Sequence, residues 1–242
     1  MSTSAFDLAG RTALVTGARR GIGRATACAL AAAGARVVRV SAREHEEAGR
    51  SYRCDFAKRD AVYDLVARVQ RDVGAVDILV NNAGTIERAA AAEHADVLWD
   101  RVLEVDLSAQ FVLTREFGRG MLERRHGKVV FVASILSFQG GINVPGYVAA
   151  KSGVAGLTRA LANEWAGRGV NVNAVAPGYV RTDNTQALRD DSVRYEQILA
   201  RIPAGRWAEP ADIAGAIVFL CSSAADYVHG TILPVDGGWL AR

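Results

Sequence analysis

The amino-acid sequence predicts a single α/β domain, residues 1–242, in which a doubly wound parallel sheet carries helices on both faces. Short apolar runs alternate with longer segments of helical periodicity, a pattern typical of a parallel sheet covered on both sides. The first apolar run leads through a glycine-rich turn into a helical segment. No linker, repeat or low-complexity stretch divides the chain, which is long enough to bury a sizeable core.

Each element follows from its local pattern. The predicted strands are seven short apolar runs: residues 12–15, 36–40, 51–55, 78–80, 128–134, 170–175 and 231–235. Helices are predicted where apolar residues recur at helical spacing, as they do between Val62 and Val73. These segments are residues 24–33, 60–73, 98–124, 147–166 and 210–222. Residues 181–207 break the alternation, because they are polar and contain Pro203 and Gly205; we expect a substrate lid there.

Composition excludes several classes of function. Half of the residues are hydrophobic and the net charge is +3, so neither nucleic acid nor a membrane is an expected partner. No apolar run approaches the roughly 20 residues of a membrane span, and nothing indicates a signal peptide. Three scattered cysteines and four histidines lack metal-ligand spacing, so we predict no catalytic metal and a reducing, cytoplasmic location.

The glycine-rich turn is the first candidate binding site. Gly17, Gly21 and Gly23 form a G-x-x-x-G-x-G pattern between the first predicted strand and the first predicted helix. Glycines in this place permit a tight turn and a close backbone approach, and a helix N-terminus favours a pyrophosphate. A glycine-rich turn alone is a weak signal, but its position between strand and helix predicts a dinucleotide site.

A second candidate site comprises Ser134, Tyr147 and Lys151. Tyr147 and Lys151 lie one helical turn apart on the same face, where an ammonium should lower the phenol pKa from about 10. Tyr147 would then exchange a proton near neutral pH. Ser134 ends a predicted strand, where a hydroxyl can hydrogen-bond a substrate oxygen. By itself, however, a Tyr-x-x-x-Lys pair also fits an ordinary surface helix.

Taken together, the motifs resemble those of the classical short-chain dehydrogenase/reductase family along the whole chain. They are Thr16-Gly17-x-x-x-Gly21-Ile22-Gly23, Asn81-Asn82-Ala83-Gly84, Ser134, Tyr147-x-x-x-Lys151, Pro177-Gly178 and Asp236-Gly237-Gly238. The resemblance implies a Rossmann-type fold and an NAD(P)-dependent enzyme that interconverts a secondary alcohol and a ketone. The second half is similar to the 2-deoxy-D-gluconate 3-dehydrogenase / 2-dehydro-3-deoxy-D-gluconate 5-dehydrogenase group. The resembling segments are residues 137–141, 162–166, 183–186, 201–207 and 235–242.

The resemblance also implies roles for individual residues. Tyr147 is the general acid and base, Lys151 assists it and contacts the nicotinamide ribose, and Ser134 holds the substrate oxygen. Asp106 stands where relatives have an asparagine, whose backbone carbonyl holds a water near the lysine. The backbone carbonyl of Asp106 would keep that role. Its carboxylate would stabilise Lys151 as a cation and would oppose a phenolate. The implied cofactor contacts are Gly17, Arg19, Arg20, Gly21, Ile22, Gly23, Ser41, Arg43, Asp55, Phe56, Asn82, Ala83, Gly84, Tyr147, Lys151, Pro177, Gly178, Val180 and Thr182.

The choice between NAD and NADP depends on the end of the second strand. An acidic residue there would accept hydrogen bonds from the ribose, whereas an arginine would pair with a 2′-phosphate. The chain has Ser41, Ala42 and Arg43 at this point, and Arg20 lies nearby in the turn. The similarity to the deoxygluconate group implies NAD, which we place slightly ahead; both arginines also fit ordinary surface positions. Residues 44–49 leave space for about one helical turn, so a more open adenosine end is expected.

The sequence constrains the substrate-binding residues less than it constrains the catalytic and cofactor-binding residues. The group similarity implies a sugar acid, with Arg88 as the first candidate for its carboxylate, because an arginine donates two parallel hydrogen bonds. Gln139, Asn184 and Gln186 are candidates for its hydroxyls. A solvated loop position is the alternative for Arg88.

Two other functions are alternatives for this sequence. A 3-oxoacyl thioester reductase is the alternative within the same chemistry, and a non-catalytic redox sensor is the alternative outside it. The presence of Ser134, Tyr147 and Lys151 together argues against the sensor. The resemblance further implies a homotetramer, in which the apolar C-terminal residues 238–240 are expected to be buried at a subunit contact.

Overall fold

The sheet has seven parallel strands in the order β3-β2-β1-β4-β5-β6-β7. The computed structural model describes residues 4–43 and 49–242. The strands are β1 (Thr12–Thr16), β2 (Arg36–Ser41), β3 (Arg50–Arg53), β4 (Ile78–Asn81), β5 (Gly127–Val132), β6 (Val170–Pro177) and β7 (Ile232–Val235). The predicted fold class is therefore confirmed, with strand ends that differ from the prediction by one or two residues. Nearly all of the segment at 44–49 lies outside the described residues.

Helices cover both faces of this sheet. They are α1 (Gly21–Ala32), α2 (Arg59–Val73), α3 (Asp96–Leu103), α4 (Ala109–Arg124), α5 (Pro145–Trp165), α6 (Gln186–Asp190), α7 (Ser192–Leu199) and α8 (Pro210–Cys221). Because side chains alternate along a strand, Leu14 of β1 packs with α2, α4 and α5, whereas Ala13 and Val15 pack with α1 and α8. Strand β1 thus contributes to two apolar layers.

The strand order reverses between β1 and β4, and this reversal positions the site. In an open parallel sheet, the crevice at such a switch point lies beyond the carboxyl ends of the strands. The loops that follow β1, β4 and β5 all begin at this edge. The glycine-rich turn, the 81–84 segment and Ser134 are therefore brought to one side of the sheet.

The long helix predicted at 98–124 is interrupted. Between α3 and α4 the backbone forms a π-helical turn, Glu104–Ser108, which carries Asp106. Such turns insert an extra residue into the helical ladder and occur frequently at functional sites. Here the turn directs Asp106 inward, where its side chain is fully buried.

The segment predicted as a lid folds over an aromatic cluster. After β6 it forms a 3₁₀ turn, Asp183–Thr185, and then α6 and α7. Trp207 is 1% exposed and stacks on Tyr195 with ring centroids 5.4 Å apart. Ile198 and Ile202 complete this packing, so the segment has an apolar core of its own.

The C-terminus joins the same aromatic cluster. Trp239 is 4% exposed within its own chain, where its ring centroid lies 4.8 Å from that of Tyr179. The Arg201 guanidinium of the lid lies 4.0 Å from the centroid of the Trp239 ring. Trp239 is thus buried without a second subunit, while the expected subunit contact of residues 238–240 stays a prediction.

Two further findings concern only the described part of the chain. No helix there is long and apolar enough to cross a membrane. Likewise, within residues 4–43 and 49–242 no group of three histidine, cysteine or acidic side chains is arranged to hold a metal ion.

Candidate active site

A cleft of about 500 Å³ opens at the carboxyl ends of the strands. Ser134, Tyr147, Lys151 and Asp106 line it, together with Asn184 of the lid. All residues assigned to the cofactor from the sequence also line this cleft: Gly17, Arg19, Arg20, Gly21, Ile22, Gly23, Ser41, Arg43, Asp55, Phe56, Asn82, Ala83, Gly84, Pro177, Gly178, Val180 and Thr182. The geometry thus brings the two predicted sites into one.

The glycine-rich turn has the shape that a dinucleotide requires. Gly17 has a φ of 66°, a conformation that favours glycine, and a Cβ at Gly23 would lie 2.3 Å from the Gly17 carbonyl oxygen. Helix α1 begins beside this turn without a side-chain cap or an acidic residue in its first turn. Its first N–H groups can therefore bind an anionic group such as a pyrophosphate.

The loop after β4 is held against β1 by hydrogen bonds. The Thr16 hydroxyl accepts from the backbone N–H groups of Asn82 (3.0 Å) and Ala83 (2.9 Å). The Asn82 side chain donates to the Thr16 carbonyl at 2.8 Å. Gln110, which the sequence did not single out, donates to the Ala83 carbonyl at 2.9 Å from helix α4. The only sequence signal for Gln110 is that a polar residue stands on the buried face of a helix.

Tyr147, Lys151 and Ser134 come from two places in the fold, helix α5 and the loop after β5. Helix α5 carries Tyr147 and Lys151, whose ammonium nitrogen lies 5.5 Å from the tyrosine ring centroid. Ser134 follows β5 by two residues, and its hydroxyl accepts from the Leu136 N–H at 3.1 Å. Lys151 is 3% exposed and donates to the Val132 carbonyl at 3.0 Å. These contacts leave the tyrosine, the serine and the lysine facing the same end of the cleft.

The pKa of Tyr147 corrects an expectation. The sequence predicted a pKa lowered by Lys151, but in the structure burial raises it above its ordinary value. The Lys151 charge and a hydrogen bond with Ser134 lower the pKa, while the Asp106 carboxylate raises it further. Burial disfavours the phenolate because a charged group loses its hydration, and this effect exceeds the attraction of one ammonium.

Asp106 places its carboxylate beside Lys151, the contact that the sequence analysis expected to stabilise the lysine as a cation. Its carboxylate Oδ2 lies 3.3 Å from the Lys151 Nζ, and its Oδ1 accepts from the Thr85 N–H at 2.7 Å. Burial raises the pKa of Asp106, although Lys151 and the Thr85 N–H oppose the shift. Burial also works against the Lys151 cation, but Asp106 and Tyr147 raise the pKa of Lys151 overall. The role expected for the Asp106 backbone carbonyl stays a prediction.

At the adenosine end, the two arginines have different surroundings. Arg43 is exposed and lines the cleft, two residues after the buried Ser41 at the end of β2. Arg20 forms an ion pair with Asp183 of the lid. Asp55 lies two residues beyond β3, and its carboxylate accepts from the Ala57 N–H at 3.1 Å. Arg43 therefore lies in the cleft lining two residues beyond the strand whose end is predicted to contact the ribose.

The residues predicted for substrate contacts separate into two groups. Arg88 donates to the carbonyl of Asn184 at 2.9 Å, and its charge helps to lower the pKa of Tyr147, so it lies on the substrate side. Gln139 instead accepts from the Trp239 indole at 3.2 Å, and Gln186 donates to Asp190 at 2.6 Å within the lid. Neither glutamine is among the residues that line the cleft, and Arg88 is not among them either, whereas Asn184 is.

Comparison with known proteins agrees with this geometry. Residues 17–240 match a short-chain dehydrogenase family model described as "Enoyl-(Acyl carrier protein) reductase". The 2-dehydro-3-deoxy-D-gluconate 5-dehydrogenase of Pseudoalteromonas atlantica is 56% identical, over 98% of each chain. The 3-oxoacyl-[acyl-carrier-protein] reductase FabG of Escherichia coli is 38% identical, over 96% of this chain and 98% of the relative.

Two solved structures are also similar. One is a provisionally identified NAD(P)-dependent gluconate 5-dehydrogenase from Beutenbergia cavernae with NADP bound at low occupancy. It is 51% identical, with a TM-score of 0.95 over 99% of this chain and 100% of the other. A provisionally identified 2-deoxy-D-gluconate 3-dehydrogenase from Agrobacterium tumefaciens with bound NADP is 54% identical, with a TM-score of 0.91 and the same coverage.

Proposed function

The chain belongs to the short-chain dehydrogenase/reductase family, and we propose that it interconverts a secondary alcohol and a ketone on a deoxy-gluconate-type sugar acid. It is an NAD(P)-dependent oxidoreductase that acts on CH–OH groups. The observation that carries the proposal is the placement of Tyr147, Lys151 and Ser134 at one end of a dinucleotide-shaped cleft. The names of the relatives support the sugar acid.

The side chains would divide the proton chemistry among them. In reduction the Tyr147 hydroxyl donates its proton to the substrate oxygen, and in oxidation its phenolate accepts that proton. The Ser134 hydroxyl donates a hydrogen bond to the same oxygen, and the Lys151 ammonium favours the phenolate. The nicotinamide cofactor, when bound, supplies or takes the hydride. A Cβ at Gly17 or Gly23 would clash with Asn82 or with the turn itself, so these glycines permit the close packing of the turn that would hold its pyrophosphate.

A 3-oxoacyl thioester reductase remains the second candidate, since a FabG reductase shares 38% identity with the chain. Incubating the enzyme with cofactor and 2-dehydro-3-deoxy-D-gluconate, then locating the altered carbon by NMR, tests the first proposal. We expect a change at a ring or chain carbon that carries a secondary hydroxyl or ketone. An unaltered sugar acid, with conversion of a 3-oxoacyl thioester instead, would favour the second candidate.

For the cofactor we propose NADP over NAD, which departs from the slight preference stated from the sequence. Support comes from the exposed Arg43 at the end of β2 and from the NADP bound to the two similar structures. Arg43→Ala should weaken NADP binding by roughly tenfold or more, because a hydrogen bond to a charged group is lost. NAD binding should stay unchanged. Dissociation constants for both cofactors check this, with Arg53→Ala as an exposed control outside the cleft; equal loss for both cofactors would contradict it.

For the substrate we propose that Arg88 reads the carboxylate. Arg88→Met keeps much of the apolar stem and removes the guanidinium fork. The KM for the sugar acid should rise by roughly tenfold, which is the loss of about one charge-assisted hydrogen bond. A neutral ketone of similar size is the control, because Arg88 also donates to the lid carbonyl of Asn184. Equal effects on both substrates would show that Arg88 holds the lid and does not read charge.

We also propose a homotetramer, which rests on the family resemblance. Partly exposed aromatic residues on α2 and α4, Tyr63 and Phe111, are compatible with a subunit contact. Light scattering should give about four times the 25.7 kDa mass of one chain. A mass that matches one chain at micromolar concentration would refute the proposal.

A further inference from the structure

Asp106 and Lys151 form an almost wholly buried ion pair at the cleft. The aspartate is 0% exposed and the lysine 3% exposed, with 3.3 Å between Oδ2 and Nζ. Gly84 closes the pocket, since a Cβ on it would lie 2.9 Å from the same Oδ2. The other oxygen accepts from the Thr85 N–H. The carboxylate therefore has a fixed orientation toward the lysine.

A buried ammonium needs such a partner. Isolated burial of a charge is costly, and an ammonium has three donors to satisfy. Lys151 donates one hydrogen bond to the neutral Val132 carbonyl, and Asp106 provides the compensating negative charge. A neutral amide in place of Asp106 would offer the lysine an acceptor without that charge.

The other acidic side chains near the ion pair each lie beside a basic residue other than Lys151. Of the acids that line the cleft besides Asp106, Asp183 pairs with Arg20, and Asp55 lies 4.0 Å from Lys58. On the same π turn, Glu104 pairs with Arg59 of α2 at 2.6 Å.

Several groups face the pair from the elements around it. Tyr147 faces it from α5, the Thr85 N–H from the loop after β4, Arg88 from further along that loop, and Arg101 of α3 lines the same cleft. Asp106 is thus the acid that contacts the proposed catalytic centre within the part of the chain that the structure describes.

We propose that Asp106 is a positioning residue whose carboxylate fixes the Lys151 ammonium and moves the proton exchange of Tyr147 to a higher pH. The proposal rests on the proposed function in that Tyr147 is taken as the acid and base. The carboxylate raises the pKa of both Lys151 and Tyr147. Alcohol oxidation requires the phenolate, so its rate should increase with pH through an alkaline range.

Asp106→Asn tests this without changing the shape of the side chain. Removing the charge should lower the pKa of Tyr147, so the alkaline limb of kcat/KM for oxidation should move to lower pH by roughly one unit or more. Glu104→Gln removes one negative charge from the same turn, on the side that faces Arg59, and should leave the limb in place. An unmoved limb in Asp106→Asn, or one moved to higher pH, would overturn the proposal.

A second measurement does not depend on turnover. Tyrosine ring-carbon NMR of the folded protein, with Tyr147 assigned by its loss in Tyr147→Phe, reports the phenol titration directly. We expect Tyr147 to titrate above the ordinary value of about 10 in the unmodified protein and lower in Asp106→Asn. A wild-type phenol that titrates well below that value would contradict the proposal even if the variant did not fold. If no sugar acid is converted, the proposed function fails while this titration still decides the role of Asp106.

Discussion

Tyr147→Phe should reduce turnover by roughly 10²–10⁴-fold, the range that a general acid or base contributes. The phenol oxygen is the group proposed to carry the proton, whereas the ring only packs. Lys151 would still donate to the Val132 carbonyl and contact Asp106, so the end of the cleft should keep its shape. Cofactor dissociation constants should therefore stay within a few-fold of wild type. Steady-state rates and fluorescence titration with cofactor measure the two effects.

A control for this prediction is the exposed Tyr227, which is far from the cleft lining. Tyr227→Phe should leave turnover unchanged. If Tyr147→Phe retained turnover near the wild-type rate, the phenol would not be the proton carrier. If it lost cofactor binding to the same extent as turnover, its role would be structural.

Lys151→Met should both abolish turnover and destabilise the fold. The substitution leaves the buried Asp106 carboxylate without its cation, and removing one partner of a buried pair typically costs about 3–5 kcal/mol. Urea unfolding should show this loss as a lower midpoint. Proton uptake by Asp106, whose pKa burial already raises, would relieve part of the cost at lower pH, so the deficit should be largest at high pH.

The double variant Lys151→Met, Asp106→Asn isolates the cause. It removes both charges, and should recover much of the stability while remaining inactive. Equal stability of the single and double variants would mean that the ion pair contributes nothing to the fold. Recovered activity in the double variant would remove Lys151 from the proposed mechanism.

The layered fold could be predicted from the sequence because the patterns that indicate its strands and helices are local. Alternating apolar runs and helical spacing predicted each strand to within two residues, and the glycine turn marked the edge where ligands bind. The π turn could not be predicted from the sequence, because the apolar periodicity continues on either side of it. Only the pattern of backbone hydrogen bonds changes there. The sequence did predict that the Asp106 carboxylate would act on Lys151, whereas the π turn that directs this side chain inward was not predicted.

Burial accounts for the other differences. The pKa of Tyr147 depends on how completely the fold removes water from the phenol, and spacing along one helix predicts only the contribution of Lys151. Trp239 was expected at a subunit contact, but within its own chain it already packs against Tyr179, two residues before the lid. Gln139 and Gln186 follow the expected elements, yet their amides are used by Trp239 and Asp190. Tertiary packing, rather than local pattern, decides each of these.

The most direct test of the sugar-acid proposal compares two alcohol substrates with one cofactor. kcat/KM for oxidation of 2-dehydro-3-deoxy-D-gluconate and of a 3-hydroxyacyl thioester should be measured with NADP⁺ at the same pH. We predict a value at least about tenfold higher for the sugar acid, the ratio that one charge-assisted hydrogen bond from Arg88 can supply. A higher value for the thioester would contradict the account and assign the chain to acyl-thioester reduction.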